Sequence, residues 1–228
     1  MSDLPLLLGH RGARASTSVA ENTPASFDLA LEHGCDGFEF DVRLTGDRRG
    51  LVCHDPKVDR ISVAKATASQ LLDLPCVEDV LQRYGGRVFL DIELKVRGLE
   101  SKLLHSLREH RMEEDYVVSS FLPAVVVELK IRSARVQTGI ICDKPRQLVG
   151  WCELNVEYVI PHFSLVTRKL VQDVHSSGKK LLTWTVNDRK AMQRFADWGV
   201  DGIISDETEL LVQTFREPTK SPRVRTEA

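Results

Sequence analysis

Nothing in this chain is apolar for long enough to cross a bilayer. The longest run, YVVSSFLPAVVVELKI at 116–131, is broken by Ser119, Ser120, Pro123 and charged residues, and a spanning helix needs about 20 apolar residues. Basic surplus is also lacking: 31 Lys and Arg stand against 33 Asp and Glu, a formal charge of -2. No overall positive field is available to draw nucleic acid or an anionic membrane surface. The opening MSDLPLLLGHRG has neither a basic n-region nor a full hydrophobic region, so no secretory signal is expected. Cysteine is sparse and unpaired in pattern. Cys35, Cys53, Cys76, Cys142 and Cys152 are odd in number and contain no CxxC, which argues against a disulfide framework or a structural zinc site. Reduced thiols and a cytoplasmic location are the expectation.

What remains is ordinary globular composition, 42% hydrophobic and 28% charged in 228 residues, enough for a sizeable core. β-branched runs alternate with amphipathic stretches from end to end. LPLLLGH, DGFEFDV, RVFLDIEL, YVVSSF, VQTGIIC, EYVIPHF, KKLLTWTV and GVDGIISD read as strands. Between them PASFDLALEHG, VEDVLQRYGG, LESKLLHSLREH, AVVVELKIRS, VTRKLVQDVHSSG and RKAMQRFADWG read as helices, with a further helix expected around Pro145 to Cys152. LVCHD is a short extension of the second unit. Eight strand–helix units predict a parallel sheet closed as a (β/α)8 barrel, near the lower size limit of that fold, with a doubly wound open sheet as the competing arrangement. No composition break divides residues 1–215, so one domain is expected. The tail 216–228, REPTKSPRVRTEA, lacks apolar periodicity and carries two prolines, and it is expected to be disordered.

In such a barrel the C-terminal strand ends face the active-site mouth. Here Glu39 and Asp41 lie two apart on one strand and Glu93 and Lys95 two apart on another, so each pair shares a face. Three converging carboxylates repel unless a cation sits among them, and their hard oxygens suit Mg²⁺ or Ca²⁺. The alternative is that each acid pairs with an Arg or Lys on a loop. His10 and His54 close their strands near the acids and could divide general acid and base work. Arg11 can hold a phosphate bidentately and Lys95 can add a point charge. His33, His105, His110 and His175 fall on or beside helices and carry no such expectation, whereas His162 could line the mouth. A metal, two cations and two imidazoles suit cleavage of a phosphate ester.

The ordered motifs HRG (10–12), ENTPASF (21–27), GCDGFEFDVRLT (34–45), VCHD (52–55), DIELK (91–95), SSF (119–121), WTVN (184–187) and GVDGIISD (199–206) resemble the glycerophosphodiester phosphodiesterase family over nearly the whole chain except the tail. The resemblance implies a PLC-like phosphodiesterase TIM barrel. It implies Glu39, Asp41 and Glu93 as ligands of one divalent cation, Mg²⁺ or Ca²⁺, and His10 and His54 as the acid–base pair. Arg11 and Lys95 would contact phosphate, with Phe121 and Trp184 lining the substrate pocket, and Glu21 and Asn22 would brace the first loop. The implied substrate is a small-molecule glycerophosphodiester, such as glycerophosphocholine or glycerophosphoethanolamine. Its own 2-hydroxyl would attack first, giving a cyclic phosphate that water opens. The segment after HD runs straight into VEDVLQRYGG, so the insertion after the second strand is shortened relative to the family and a more open site is expected. A lysophospholipase D-type enzyme and a non-catalytic phosphodiester-binding barrel are the alternatives. No hydrophobic repeat demands a protein partner, and the oligomeric state is left open.

Overall fold

The structure is a computed structural model, and it describes residues 4–216. The expected tail therefore lies outside the described residues, apart from Arg216. Eight parallel strands close into a ring in the order β1 (Leu6–His10), β2 (Gly37–Leu44), β6 (Phe89–Leu94), β7 (Tyr116–Ser120), β8 (Thr138–Cys142), β9 (Tyr158–Pro161), β10 (Lys180–Thr183) and β11 (Gly202–Ser205), which pairs back with β1. Outside the ring, β3 (Gly50–Val52) pairs antiparallel with β2, and β4 (Lys57–Val58) with β5 (Ile61–Ser62) forms a separate hairpin. The open-sheet alternative is excluded by the β1–β2 pairing.

Helices α1 (Pro24–Glu32), α2 (Val77–Tyr84), α3 (Glu100–Glu109), α4 (Pro123–Arg132), α5 (Arg168–Ser176), α6 (Arg189–Trp198) and α7 (Thr208–Phe215) lie between successive barrel strands and after the last. Their starts follow local chemistry. Thr23 accepts the Ser26 N–H ahead of Pro24, and Asp188 accepts the Ala191 N–H at 2.9 Å. The helix expected near Pro145 to Cys152 is instead two 3₁₀ turns, Pro145–Val149 and Trp151–Glu153. Gly150 divides the run, and neither half has the three to four turns over which an amphipathic helix gains stability from packing.

Successive residues along each strand alternate between two cores, so residues two apart share one. Leu8, Val117, Ile141, Ile160, Leu182 and Ile204 pack with Phe89 and Tyr158 inside the barrel. Their neighbours face the helices, where Phe27 stacks on Phe38 at 4.1 Å between centroids and Tyr84 meets Phe38 edge-on. Gly37 allows β2 to approach β6 there, because a Cβ at that position would stand 1.8 Å from the Phe89 carbonyl oxygen. The close approach fixes the register that builds the site: His10 beside Glu39, Glu39 beside Asp91, and Asp41 beside Glu93.

Candidate active site

The same inward alternation that buries Leu8 and Phe89 brings His10, Glu39, Asp41 and Glu93 to the C-terminal mouth of the ring. One oxygen from each of Glu39, Asp41 and Glu93 lies within 4.8 Å of the others, and all three residues are buried. The arrangement is electrostatically expensive without a cation. Burial, with repulsion from Asp41, Glu93 and Asp91, raises Glu39 well above the ordinary carboxylate range. Burial likewise raises Glu93 to about 8, although Lys95 opposes it. Asp41 is different: burial pushes it up, but Lys95, Arg11 and the Asn22 amide together outweigh that and hold it low. Lys95 Nζ sits 2.8 Å from Glu93 Oε1 and 3.2 Å from Asp41 Oδ1. Glu39 Oε1 is buried with no hydrogen-bond partner. An unpaired buried carboxylate oxygen costs free energy, and a hard divalent cation among these oxygens would remove that cost. The donor set fits Mg²⁺ or Ca²⁺.

Both histidines have one nitrogen held. His10 Nδ1 lies 2.7 Å from Asp206 Oδ1, and His54 Nδ1 lies 2.8 Å from Asp55 Oδ1. A carboxylate only accepts, so each Nδ1 donates and each neutral ring keeps its lone pair on Nε2. His10 Nε2 stands 3.8 Å from Glu39 Oε2. Asp206 is itself fixed by Asn187 Nδ2 at 2.8 Å and by Arg14. Burial raises Asp206, but the bonds from His10, Asn187 and Arg14 outweigh it and place the carboxylate well below its usual range. Asp206 therefore stays ionised at neutral pH. Burial lowers His54 despite the opposing pull of Asp55.

Arg11 turns into the site on a left-handed backbone, φ 55°. Its N–H donates to Glu39 Oε2 at 3.0 Å and Nη1 donates to Glu21 Oε1 at 2.8 Å. Asn22 donates to Asp41 at 2.9 Å, so Glu21 and Asn22 do brace the first loop against the acids. Above them Trp184 donates its indole N–H to the Ile160 carbonyl and meets Phe121 and His162 edge-on, at 5.5 and 5.3 Å between centroids. His10, Arg11, Glu39, His54, Glu93 and Lys95 line one small cavity of about 110 Å³, walled by Phe121 and Trp184. The residues expected as metal ligands, acid–base pair and substrate contacts thus line one cavity, except Asp41, which lies 3.2 Å from the lining Lys95; His162 is not among the lining residues and packs edge-on against Trp184 instead.

A sequence model of the glycerophosphoryl diester phosphodiesterase family matches residues 10–82 and 84–210. The chain belongs to that family. It is 30% identical to a glycerophosphodiester phosphodiesterase of Caldanaerobacter subterraneus subsp. tengcongensis, the match covering 93% of this chain and 98% of the relative. Among solved structures, a glycerophosphoryl diester phosphodiesterase of Silicibacter pomeroyi superposes with TM-score 0.85 at 23% identity, covering 94% of each chain, a likeness of fold. A phosphodiesterase of Oleispira antarctica in complex with the product sn-glycerol-3-phosphate gives TM-score 0.79 at 25% identity, covering 92% of this chain and 96% of that one. The protein is accordingly a phosphoric diester hydrolase on a TIM barrel.

Two residues of this phosphodiesterase carry the site without having been singled out from sequence. Asp206, the partner of His10, ends GVDGIISD, and its spacing of two from Ile204 and of four from Gly202 was the available signal that it faces inward. Asp91 lies beneath the acids, 1% exposed, and accepts the Ser119 hydroxyl at 2.5 Å. Burial raises it to about 7. Its spacing of two from Glu93 carried the same information. No helix of the described residues is long and apolar enough to cross a membrane.

Proposed function

We propose that the enzyme hydrolyses glycerophosphodiesters, glycerophosphocholine and glycerophosphoethanolamine among them, to glycerol 3-phosphate and the free alcohol. The observation that carries this reading is the convergence of Glu39, Asp41 and Glu93 beside two carboxylate-anchored histidines in one cavity. The Oleispira antarctica neighbour, described with sn-glycerol-3-phosphate as product, supports the same product here.

Glu39, Asp41 and Glu93 would hold one Mg²⁺ or Ca²⁺ ion. When bound, such an ion supplies positive charge that offsets the phosphoryl oxygens. Arg11 and Lys95 add to that charge from the protein side and act most strongly as charge redistributes in the transition state. His10, with Nδ1–H held by Asp206, has Nε2 free to take the proton of the attacking glycerol 2-hydroxyl. His54, in its protonated form, gives a proton to the departing alcohol. Water then opens the cyclic phosphate with the two roles exchanged. Phe121 and Trp184 exclude water from one wall and orient the glycerol carbons.

Phosphorus NMR of the products from glycerophosphocholine tests the reading. Glycerol 3-phosphate with choline is expected; phosphocholine with glycerol would contradict it.

A further inference from the structure

We propose that Arg43 is a positioning residue for His54, tying its main chain to the strand that carries Glu39 and Asp41. The inference rests on the acid role proposed for His54 above. Glu39, Asp41 and Arg43 stand two apart on β2, so their side chains leave the same face of the strand. The first two end among the acids, whereas Arg43 does not line the catalytic cavity. Its Nε donates instead to the His54 carbonyl oxygen at 2.6 Å.

The two histidines need different supports. His10 closes β1 within the barrel ladder, in register with Glu39, and is 8% exposed. His54 lies beyond the end of β3, whose pairing with β2 stops at Val42 opposite Val52. One more bond follows, from the Cys53 N–H to the Asp41 carbonyl at 3.0 Å. Among the described residues, only the bond from Arg43 then reaches the His54 main chain.

Asp55 accepts from the ring Nδ1 at 2.8 Å, but its own side chain is 74% exposed. Pairs so open to water are weak, so Asp55 turns the ring without fixing where it stands. A bond from an ionised guanidinium is shorter and stronger than a neutral one, and Arg43 is half-buried. Arg43 thus supplies for His54 the restraint that the ladder supplies for His10. The separation between proton donor and metal ligands is thereby set from a single strand.

A donor must come within hydrogen-bond reach of the departing oxygen, and a misplacement of about 1 Å can cost about 10²-fold. Glutamine carries its amide nitrogen as many bonds from Cα as arginine carries Nε, which keeps the donor and discards the charge. Methionine has the same reach and no donor. With the full chain and saturating Mg²⁺ or Ca²⁺, Arg43→Met is expected to lower kcat on glycerophosphocholine about tenfold or more, with KM changed less than about twofold. On the p-nitrophenyl diester of glycerol phosphate, whose leaving group needs no proton, its loss is expected to stay within about threefold. Arg43→Gln is expected to remain within about threefold of wild type on both substrates. In a His54→Ala background, Arg43→Met is expected to cost nothing further.

Equal losses for the Met and Gln variants would show that the guanidinium charge matters rather than the bond. A further loss in the His54→Ala background, or an Arg43→Met chain that does not fold, would make Arg43 a general brace. Either result overturns the proposal. If His54→Ala itself loses equally on both diesters, the acid role fails, while the double variant still decides whether Arg43 acts through His54.

Discussion

In the proposed mechanism proton transfer turns on the contact between His10 Nδ1 and Asp206 Oδ1, 2.7 Å apart. Removing the charge of Asp206 while keeping its shape, Asp206→Asn, lets the ring bond through either nitrogen and misplaces the Nε2 lone pair. General acid–base groups contribute about 10²–10⁴-fold, so kcat is expected to fall roughly 10²-fold or more with KM little changed. Equal losses in binding and turnover, measured by steady-state kinetics, would make Asp206 a structural brace. His54 has its own test. If it protonates the leaving alcohol, His54→Ala should cost far less on a p-nitrophenyl diester, whose leaving group needs no proton, than on glycerophosphocholine; an equal loss refutes the acid role. At this scale the acids were legible because Glu39, Asp41, Glu93 and Lys95 advertise a shared face by their spacing of two. Asp206 and Asp91 have the same spacing. Their importance depends on partners 196 and 28 residues away, His10 and Ser119, and no local pattern encodes a contact of that range.

Among the elements, the β2–β6 pairing sets the alignment of the acids. Gly37→Ala places a methyl 1.8 Å from the Phe89 carbonyl oxygen, a clash that only strand separation relieves. It is expected to destabilise the fold by about 3 kcal/mol or more, read as loss of soluble protein or a lowered melting temperature. Gly150→Ala, which meets open space, serves as the near-neutral control. The strands announced themselves through β-branched runs and polar ends, and the helices through period and caps. The unit after β8 was misread because Pro145 and the apolar spacing of Leu148, Val149 and Trp151 suggest a helix, whereas Gly150 and the short span leave only 3₁₀ turns. The segment after the second strand forms the β4–β5 hairpin and short 3₁₀ turns, with Leu51, Cys53, Val63, Ala66 and Leu71 packed together as a small core of their own.

For the whole molecule, the acid layer couples stability to pH and to metal. Glu93 titrates near 4.5 unfolded and about 8 in the metal-free fold, and Glu39 moves in the same direction. Between those values the folded state holds more protons than the unfolded state. Metal-free stability should therefore fall as pH rises from about 5 to 8. A cation that binds only the ionised acids offsets the loss by mass action. Thermal melts are expected to show the EDTA-treated protein losing stability across this window, with Mg²⁺ or Ca²⁺ raising the melting temperature more at pH 8 than at pH 6. A metal effect independent of pH would contradict the ionised-ligand account. Barrel closure was legible from unit counting, since eight strands can satisfy their backbone groups by joining the first to the last. That β11 meets β1 in the register Leu8 to Ile204 was not, because register depends on packing across the ring.

The most direct measurement is release of glycerol 3-phosphate from glycerophosphocholine before EDTA treatment, after it, and after restoring Mg²⁺ or Ca²⁺, with Glu39→Gln measured alongside. Release that EDTA abolishes and metal restores, together with a Glu39→Gln variant that folds but stays below about 1% of wild-type activity, is the predicted result. Turnover that persists in EDTA would contradict the central claim that Glu39, Asp41 and Glu93 serve the reaction by holding a divalent cation.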